Sequence, residues 1–415
     1  MPVSDPKLEK GEGSFSRAKY LKDVFLCSLV AFGGPEAHLG VFLDRLVQKK
    51  KYLTEKALLE WMALCSFLPG PTSTQVITAI GLERGGRSLA LLTLLVWALP
   101  VILFMSAVSM LPAMLGQVGL PQWLGFLAPL AAAFVAWAAW SLGRKVTTDL
   151  LTFGLWAHGL AVVMLAESPW AIPLAFLAGG GLAVFLDHEK SNPETSISIR
   201  LKTPWVVLGL FVGFLFLGVI GSVYSGHSLF QTFERFYRYG YLVFGGGQVV
   251  VPLMQGELVQ SAKLMSQDEF LAGFGLVQAL PGPMFSFAAY AGGLCEQGGG
   301  WVRQFCGAMI GGWAIFLPGT LLLFFVYPFW GKLKSYPWAA KAQRGVNAVA
   351  GGLVAGVLVQ ILMNMNWARE NAVAFVLTLG LLMVRRVPAP FVVVVVGVDR
   401  KSTRLNSSHQ IISYA

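Results

Sequence analysis

Four consecutive polar residues follow a Pro-Gly-Pro cluster in the first half of the sequence. The cluster is Pro69, Gly70 and Pro71, and the polar residues are Thr72, Ser73, Thr74 and Gln75. A helix that restarts after such a break has unpaired backbone N–H groups and a positive dipole end, which together bind anions without a buried cation. Hydroxyl and amide side chains in the same turn can donate to oxyanion oxygens. We therefore predict that these residues bind an anion.

Three further clusters of helix-breaking residues belong to the predicted substrate-binding site. They are Gly33, Gly34 and Pro35, followed by Glu36; Gly245 and Gly246, with Gln248; and Pro281, Gly282 and Pro283, with Ser286. The polar groups are concentrated in the first half, because Met284, Phe285 and Phe287 surround Ser286 and are apolar. The alternative is structural, since such clusters can simply kink a helix and membrane Ser and Thr often link helices by hydrogen bonds.

Ionisable residues also lie on or beside the breaks, namely Glu36, His38 and Glu60. Ionisable groups at membrane depth are functional candidates by default. For Glu60 we prefer a position at the membrane–water interface. Arg84 and Arg87 follow the second break; we interpret them as interfacial anchors, and a place at the mouth of an anion path is the alternative.

The composition indicates an all-α polytopic membrane protein. Of 415 residues, 55% are hydrophobic and 13% are charged, whereas soluble domains carry roughly 25% charged residues. An α-helix needs about 20 apolar residues to cross a bilayer. Five nearly charge-free segments have about that length, and they are 88–110, 122–142, 203–224, 304–328 and 343–364. The net charge of +10 lies in the loops between them, which is typical of membrane orientation signals rather than nucleic-acid binding.

The two halves of the sequence repeat the same motifs at a fixed spacing. Residues 32–34 and 244–246 both read Phe-Gly-Gly, and residues 68–71 and 280–283 both read Leu-Pro-Gly-Pro. Both pairs are separated by 212 positions, which indicates an internal duplication. The predicted organisation is a polar N-terminal segment (1–14), a first transporter repeat (15–190), a linker and connecting transmembrane helix (191–226), a second transporter repeat (227–398) and a tail (399–415).

Loop charges predict that the two repeats have opposite orientations. Loop 44–56 carries five Lys or Arg residues, whereas its counterpart 256–269 is mainly acidic. Loop 111–121 has no charge, whereas its counterpart 329–344 has four Lys or Arg residues and no acid. Because basic loops stay in the cytoplasm, the second repeat is expected to be inverted. Inverted repeats are typical of secondary transporters.

Two segments in the first repeat are interrupted and flanked by basic loops. They are 20–42, broken at Gly33–Pro35, and 57–82, broken at Pro69–Pro71. A segment that begins and ends on one side cannot be a simple span, so we predict hairpins of two half-helices with the break at the tip. Irregular backbone at that depth is tolerated only where protein or water covers it. The fold class is therefore two inverted-topology repeats with broken half-helix hairpins.

The sequence gives no sign of catalysis. The five histidines have no His-Glu-x-x-His spacing, the four cysteines have no metal-ligand spacing, and no P-loop is found. We predict no catalytic residues, no metal and no cofactor, and an intramembrane enzyme is the least favoured class. A channel is a further alternative, but inverted repeats with broken helices favour alternating access.

These motifs resemble the chromate ion transporter family in its long, two-domain form. The Phe-Gly-Gly-Pro and Pro-Gly-Pro signatures, one pair in each half, carry the resemblance over roughly residues 15–398. Gly247 departs from it, because it replaces the proline in the second Phe-Gly-Gly motif. The resemblance implies export of chromate, a tetrahedral oxyanion, from the cytoplasm across the bacterial inner membrane. Implied partners are chromate or a sulfate-like oxyanion and the lipid bilayer, without nucleic acid. Transport of sulfate or an organic acid is the alternative, and homo-oligomer formation is left open.

The composition changes abruptly at Asp399. The apolar segment that begins at 388 stops there, and residues 399–415 are polar, rich in serine and without periodic pattern. Such a stretch is expected to be disordered. We interpret it as translated adapter sequence, so the natural protein is expected to continue as an apolar segment after Val398. An ordinary polar tail is the alternative.

Overall fold

The regular elements of the chain are helical throughout the described residues. The computed structural model describes residues 15–32, 35–114, 127–166, 171–186, 204–224, 228–243, 250–330, 336–384 and 391. The helices of the first half are α1 (Arg17–Ser28), α2 (Pro35–Phe42), α3 (Glu55–Phe67), α4 (Thr72–Met114), α5 (Leu127–Val146), α6 (Leu150–Leu165) and α7 (Ala171–Leu186). The remaining helices are α8 (Trp205–Tyr224), α9 (Ser228–Leu242), α10 (Val250–Met254), α11 (Gln267–Ala279), α12 (Phe287–Cys295), α13 (Trp301–Ala314), α14 (Leu317–Val326), α15 (Pro337–Asn364) and α16 (Arg369–Met383).

Five helical segments are long and apolar enough to cross a bilayer. They are Thr72–Leu111, Leu127–Val146, Trp205–Tyr224, Trp301–Phe329 and Pro337–Asn364. Each overlaps one of the five segments expected from the sequence, so the prediction of an all-α polytopic membrane protein is confirmed. The apolar window of α8 is only 11% buried, and its exposed Val206, Phe216 and Val223 form the kind of apolar surface that faces lipid.

The long helix α4 contains two separate arms. Its 43 residues would extend about 65 Å at 1.5 Å per residue, twice the thickness of the hydrocarbon core. The helix is broken at Gly85 and Gly86, and Gly86 has a φ of 73°, which glycine adopts without a steric penalty. The first arm therefore belongs to the hairpin with α3, and the second arm is the span expected over 88–110.

Equivalent elements of the two halves are separated by the same number of residues as the sequence motifs. A π-helix spans Leu43–Lys49 after α2, and another spans Gln255–Ser261 after α10. Thr54 caps α3 as Ser266 caps α11. Both pairs lie 212 positions apart, as do the Gly70 and Gly282 residues, which have φ angles of 115° and 105°. The structure thus places matching turns and caps at matching positions in both halves. The predicted domain boundaries and inverted orientation stay predictions.

Three predicted loops are partly helical, so the expectation that they are irregular was wrong. The π-helices occupy much of 44–56 and 256–269, and α15 begins at Pro337, inside the loop expected over 329–344. The physical reason is that each π-helix buries an apolar residue. Leu46 and Leu258 are fully buried, although the segments that contain them carry charged residues. A π-helix is a local widening that is often found at functional sites.

Each of the first hairpins is closed by an ion pair, and the two pairs share one equivalent position, Asp23 and Arg235, which lie 212 positions apart. In the first half, Asp23 on α1 pairs with Lys50 at 3.1 Å and accepts a hydrogen bond from the Tyr52 hydroxyl at 2.6 Å. In the second half, Arg235 on α9 pairs with Glu257 at 3.2 Å. These contacts place the far ends of both hairpin arms side by side, as expected for segments that return to the side from which they entered.

Glycines pack α15 closely against α6 and α7. A side chain at Gly345 would collide with the Gly179 carbonyl, and one at Gly352 would collide with the Trp156 carbonyl. Small residues of this kind allow membrane helices to approach backbone to backbone. The resulting bundle lies beside the broken helices and supports them.

Candidate functional site

The Pro-Gly-Pro clusters bind the opposite half of the chain through reciprocal hydrogen bonds. The Gly70 amide donates to the Val243 carbonyl at 2.7 Å, and the Gly282 amide donates to the Ala31 carbonyl at 2.8 Å. Gly70 and Gly282 are equivalent positions, and so are Ala31 and Val243, since each pair lies 212 positions apart. Each cluster therefore meets the residue that precedes the Phe-Gly-Gly motif of the other half. We call these two contacts the crossing.

Little space remains around the two central glycines of the crossing. An ideal Cβ on Gly70 would lie 3.3 Å from the Gly319 Cα, and one on Gly282 would lie 2.7 Å from the Val101 Cγ2. Both glycines also have positive φ angles, which other residues rarely adopt. The sequence requires glycine here for two independent reasons.

The N-terminus of α4 begins immediately after the crossing. The first helical hydrogen bond runs from the Gln75 amide to the Pro71 carbonyl at 2.9 Å. The amides of Thr72, Ser73 and Thr74 precede it, so they have no carbonyl partner within the helix. Ser73 is 6% exposed and Thr74 is 2% exposed. Three amides without a partner among the described residues and the positive end of the helix dipole therefore lie in a largely buried turn, which suits an anion.

The hydroxyls of this turn have distinct partners. The Ser73 Oγ lies 2.9 Å from the His38 Nδ1. The Thr74 Oγ1 accepts a hydrogen bond from the Trp97 Nε1 at 3.2 Å, so its own hydrogen is free to be donated. One turn later, the Thr78 hydroxyl donates to the Thr74 carbonyl and is committed to the backbone. The free donors thus lie in the first turn of α4.

Gln75 connects the two halves. Its Nε2 donates to the Pro69 carbonyl at 2.8 Å and to the Gly319 carbonyl at 3.1 Å. Both hydrogens of the amide are therefore used, and the Gln75 Oε1 is buried without a partner among the described residues. Sequence reasoning treated Gln75 as a ligand and gave no indication of this connection.

The equivalent turn of the second half is mostly apolar. Met284–Ser286 form a 3₁₀ turn ahead of α12, and Phe287 packs edge-on against Phe270. The Ser286 Oγ is buried and has no hydrogen-bond partner within the described ranges. It is the single side-chain hydroxyl that this turn presents, compared with three in the first half.

The remaining predicted residues are described only in part. Gly33, Gly34, Gly245, Gly246 and Gln248 lie outside the described residues, and of Pro35 and Glu36 only the helical backbone at the start of α2 is described. Glu60 and Arg87 are exposed, Arg84 is half-buried, and His38 is buried. The exposure of Glu60 fits its expected interfacial position.

Sequence reasoning missed a polar cavity beside the crossing. The cavity has a volume of about 540 Å³, and its polar lining residues are Arg238, Glu257, Gln260, Ser261 and Gln360. Apolar residues from the ends of α6 and α7 complete its wall. Leu242 also lines it and is next to Val243, the acceptor of the Gly70 amide. One lining residue is therefore the chain neighbour of a crossing residue.

Arg238 is held in the cavity wall by two carboxylates. Its guanidinium donates to Glu234 at 2.6 Å and to Glu257 at 3.0 Å. Glu234 and Arg238 are four residues apart on α9, a spacing that favours a helical ion pair. This spacing was the available sequence signal, but Glu257 comes from a different helix and could not be paired with them from sequence.

Membrane-spanning helices and half-helices that meet at buried, glycine-rich breaks define a polytopic membrane transport protein. The chain belongs to the chromate transporter family. The model of this family matches residues 18–185 and matches again over residues 230–398. The resemblance to the long, two-domain form is confirmed, because the match occurs once in each half.

Several curated proteins are similar along most of their length. An uncharacterized transporter of Methanocaldococcus jannaschii is 25% identical over 362 residues, which cover 85% of this chain and 86% of that protein. A probable chromate transport protein of Synechococcus elongatus is 26% identical over 82% of this chain and 84% of its own length. A chromate transport protein of Pseudomonas aeruginosa is 25% identical over 82% of this chain and 77% of its own length. None of the solved structures matches the chain.

Proposed function

We propose that this protein exports chromate from the cytoplasm across the plasma membrane and that it is a secondary transporter. The observation that carries the proposal is the buried N-terminus of α4, where three amides that have no partner within the described part of the chain lie beside the hydroxyls of Thr72, Ser73 and Thr74. Two of the similar proteins are named for chromate transport.

The chemistry of this turn suits a tetrahedral oxyanion. Amides and hydroxyls offer several donors over a short distance, and such donors are the usual partners of anions at helix N-termini. The crossing brings the two halves into contact beside this turn, because the Gly70 and Gly282 amides each donate to a carbonyl of the opposite half. We propose that the anion is bound there, with most donors from the first half and Ser286 from the second.

Export needs no nucleotide when the membrane potential is inside-negative. The potential contributes about 2.3 kcal/mol per charge for each 100 mV, so a dianion gains about 4.6 kcal/mol on leaving the cytoplasm. A free energy of this size supports a gradient of roughly a thousandfold or more. A passive pathway that alternates between the two sides is therefore sufficient.

The reciprocal bonds of the crossing support an alternating mechanism. Two halves that contact each other through equivalent residues can rock about their shared contact, as in transporters built from repeats. We propose inverted repeats on this basis together with the loop charges.

Uptake of radiolabelled chromate into inside-out membrane vesicles tests the proposal. Vesicles containing the protein should accumulate chromate faster than vesicles without it, and an imposed potential, positive inside the vesicle, should increase the rate. Sulfate is included as a competitor, because the same donors can bind it. Chromate uptake equal to that of empty vesicles would refute the proposal, and uptake of sulfate alone would replace chromate as the substrate.

A further inference from the structure

His38 is a buried ionisable residue that contacts the first turn of α4. It lies on α2 and is 1% exposed. Its Nδ1 is 2.9 Å from the Oγ of Ser73, the second residue of α4. The imidazole thus lies beside the helix N-terminus that the proposed function assigns to the anion.

The ring is fixed on several sides, while one nitrogen is left without a partner. Trp97 packs edge-on against it, with ring centroids 5.4 Å apart, and Phe42 lies on another side at 6.5 Å. The Ala31 carbonyl, which accepts the Gly282 amide hydrogen, is also close to the ring. The His38 Nε2 is buried and makes no hydrogen bond to any described residue.

We propose that His38 is a ligand of the transported oxyanion, an inference that rests on the proposed function. The Ser73 hydroxyl donates to Nδ1, which fixes the tautomer with the hydrogen on Nε2. This Nε2–H donates to an oxyanion oxygen bound over the amides of Thr72–Thr74. A buried donor without a partner destabilises a protein, and the anion removes that penalty when it binds.

The pair of His38 and Ser73 occurs only in the first half. The equivalent positions of the second half are Val250 and Phe285, so both members of the pair are replaced by apolar residues together. This joint replacement is expected if Ser73 orients His38 and the two act as one unit. It also agrees with an anion site whose donors come mainly from the first half.

Two substitutions separate a ligand from a structural residue. In His38→Gln the side-chain amide reaches the Nε2 position, whereas in His38→Asn it reaches only the Nδ1 position beside Ser73. Binding of radiolabelled chromate to the purified protein is measured for the wild type, for both variants and for His38→Ala. Thermal unfolding of each variant monitors its folding.

A ligand role predicts that His38→Ala and His38→Asn bind chromate about ten- to a hundredfold more weakly, the effect of one lost hydrogen bond to a charged ligand. His38→Gln should stay within about fivefold of the wild type. The inference is overturned if His38→Asn retains wild-type affinity while His38→Gln loses it, or if His38→Ala binds normally. If the wild type binds no chromate, the proposed function fails as well.

If the variants do not fold, a measurement on the wild type tests whether His38 is a ligand. Diethyl pyrocarbonate modifies free imidazole nitrogens, and mass spectrometry of peptides reports the rate at each histidine. Saturating chromate should slow the modification of His38 and leave that of the exposed His158 unchanged. An unchanged rate at His38 would contradict a ligand role.

Discussion

The Gly70 amide donates to the Val243 carbonyl at 2.7 Å, and the same bond recurs between the equivalent residues Gly282 and Ala31. Each half of the protein thus completes the broken helix of the other. Without these bonds, two buried amides and two buried carbonyls would have no partner, which is unfavourable in an apolar environment. The crossing is therefore a structural contact as well as the edge of the proposed site.

Replacing Gly70 or Gly282 with alanine should destabilise the protein. Both residues have positive φ angles, and a left-handed conformation costs a non-glycine residue roughly 1–2 kcal/mol. The new Cβ would also press on Gly319 or Val101. We expect a lower midpoint of thermal unfolding and a smaller folded fraction in detergent.

Gly40→Ala is the matched control for these two substitutions. Gly40 lies on α2, and a Cβ there would meet nothing within 4 Å. Because alanine favours helix over glycine by about 1 kcal/mol, this variant should be neutral or slightly stabilised. Equal stability of Gly70→Ala and Gly40→Ala would show that the strain argument is wrong.

The hydroxyl of Thr74 is predicted to contribute directly to anion affinity. Its Oγ1 accepts from Trp97 and can still donate its own hydrogen, and a lost hydrogen bond to a charged ligand costs about 1.5–3 kcal/mol. Thr74→Val keeps the shape and removes the hydroxyl, so apparent chromate affinity should fall about ten- to a hundredfold. Thr74→Ser keeps the hydroxyl and should bind nearly as well as the wild type.

Substitutions outside the first turn provide the comparison for Thr74. The Thr78 hydroxyl is committed to the Thr74 carbonyl, so Thr78→Val should change chromate affinity little. Ser286→Ala, in the second half, should have a smaller effect than Thr74→Val. Equal affinities of Thr74→Val and the wild type in a binding assay would refute hydroxyl ligation at this position.

Gln75→Glu should weaken the contact between the two halves. The Gln75 amide donates to two carbonyls, one in each half, and a carboxylate cannot donate to either. Each buried carbonyl left without a donor costs about 1–3 kcal/mol. The midpoint of thermal unfolding should therefore fall substantially. Gln260→Glu, at an exposed residue, is the control, and an equal effect at both positions would contradict the assignment.

Arg238 and Glu257 should depend on each other for stability. Each is about one-fifth exposed or less, and they are joined at 3.0 Å. Removing Arg238 leaves the poorly solvated Glu257 with Arg235 as its remaining ion-pair partner, and removing Glu257 leaves Arg238 with Glu234, so each single loss unbalances the charges of the cluster. We expect Arg238→Gln to lower the unfolding midpoint, and Arg238→Gln combined with Glu257→Gln to restore part of it. Strictly additive effects in this double-mutant cycle would show that the pair is not coupled.

The breaks and the duplication could be predicted because glycine and proline are informative at single positions. Positive φ angles and missing N–H groups are properties of individual residues, so Gly70 and Gly282 mark the same turn in both halves. The membrane-spanning helices could be predicted from hydropathy, because hydropathy is also a property of individual residues and their near neighbours. The π-helices could not be predicted, because they depend on the burial of Leu46 and Leu258 in the folded core.

Contacts between residues far apart in the chain were beyond the reach of sequence reasoning. The Gly70–Val243 bond, the Gln75–Gly319 bond and the His38–Ser73 contact all join residues far apart in the chain. The repeated motifs indicated which residues break the helices, but they did not indicate which residues would contact each other. The polar cavity was missed for the same reason, since its walls come from several separate helices.

The inverted orientation of the repeats can be tested at a pair of equivalent residues. Lys51 and Lys263 each follow a π-helix, lie 212 positions apart and are exposed. If the repeats are inverted, Lys51→Cys should react with a membrane-impermeant thiol reagent only from the cytoplasmic side, and Lys263→Cys only from the opposite side. The native cysteines at 27, 65, 295 and 306 are first replaced with serine.

A third position, Ala340, tests the topology independently of Lys51 and Lys263. Ala340 is exposed near the start of α15, in the basic segment that corresponds to the uncharged loop 111–121 of the first half. Because basic segments stay in the cytoplasm, Ala340→Cys should be labelled from the same side as Lys51→Cys, and a cysteine in 111–121 from the other. Labelling of Lys51→Cys and Lys263→Cys from the same side would exclude inverted repeats, since equivalent residues of parallel repeats face the same compartment.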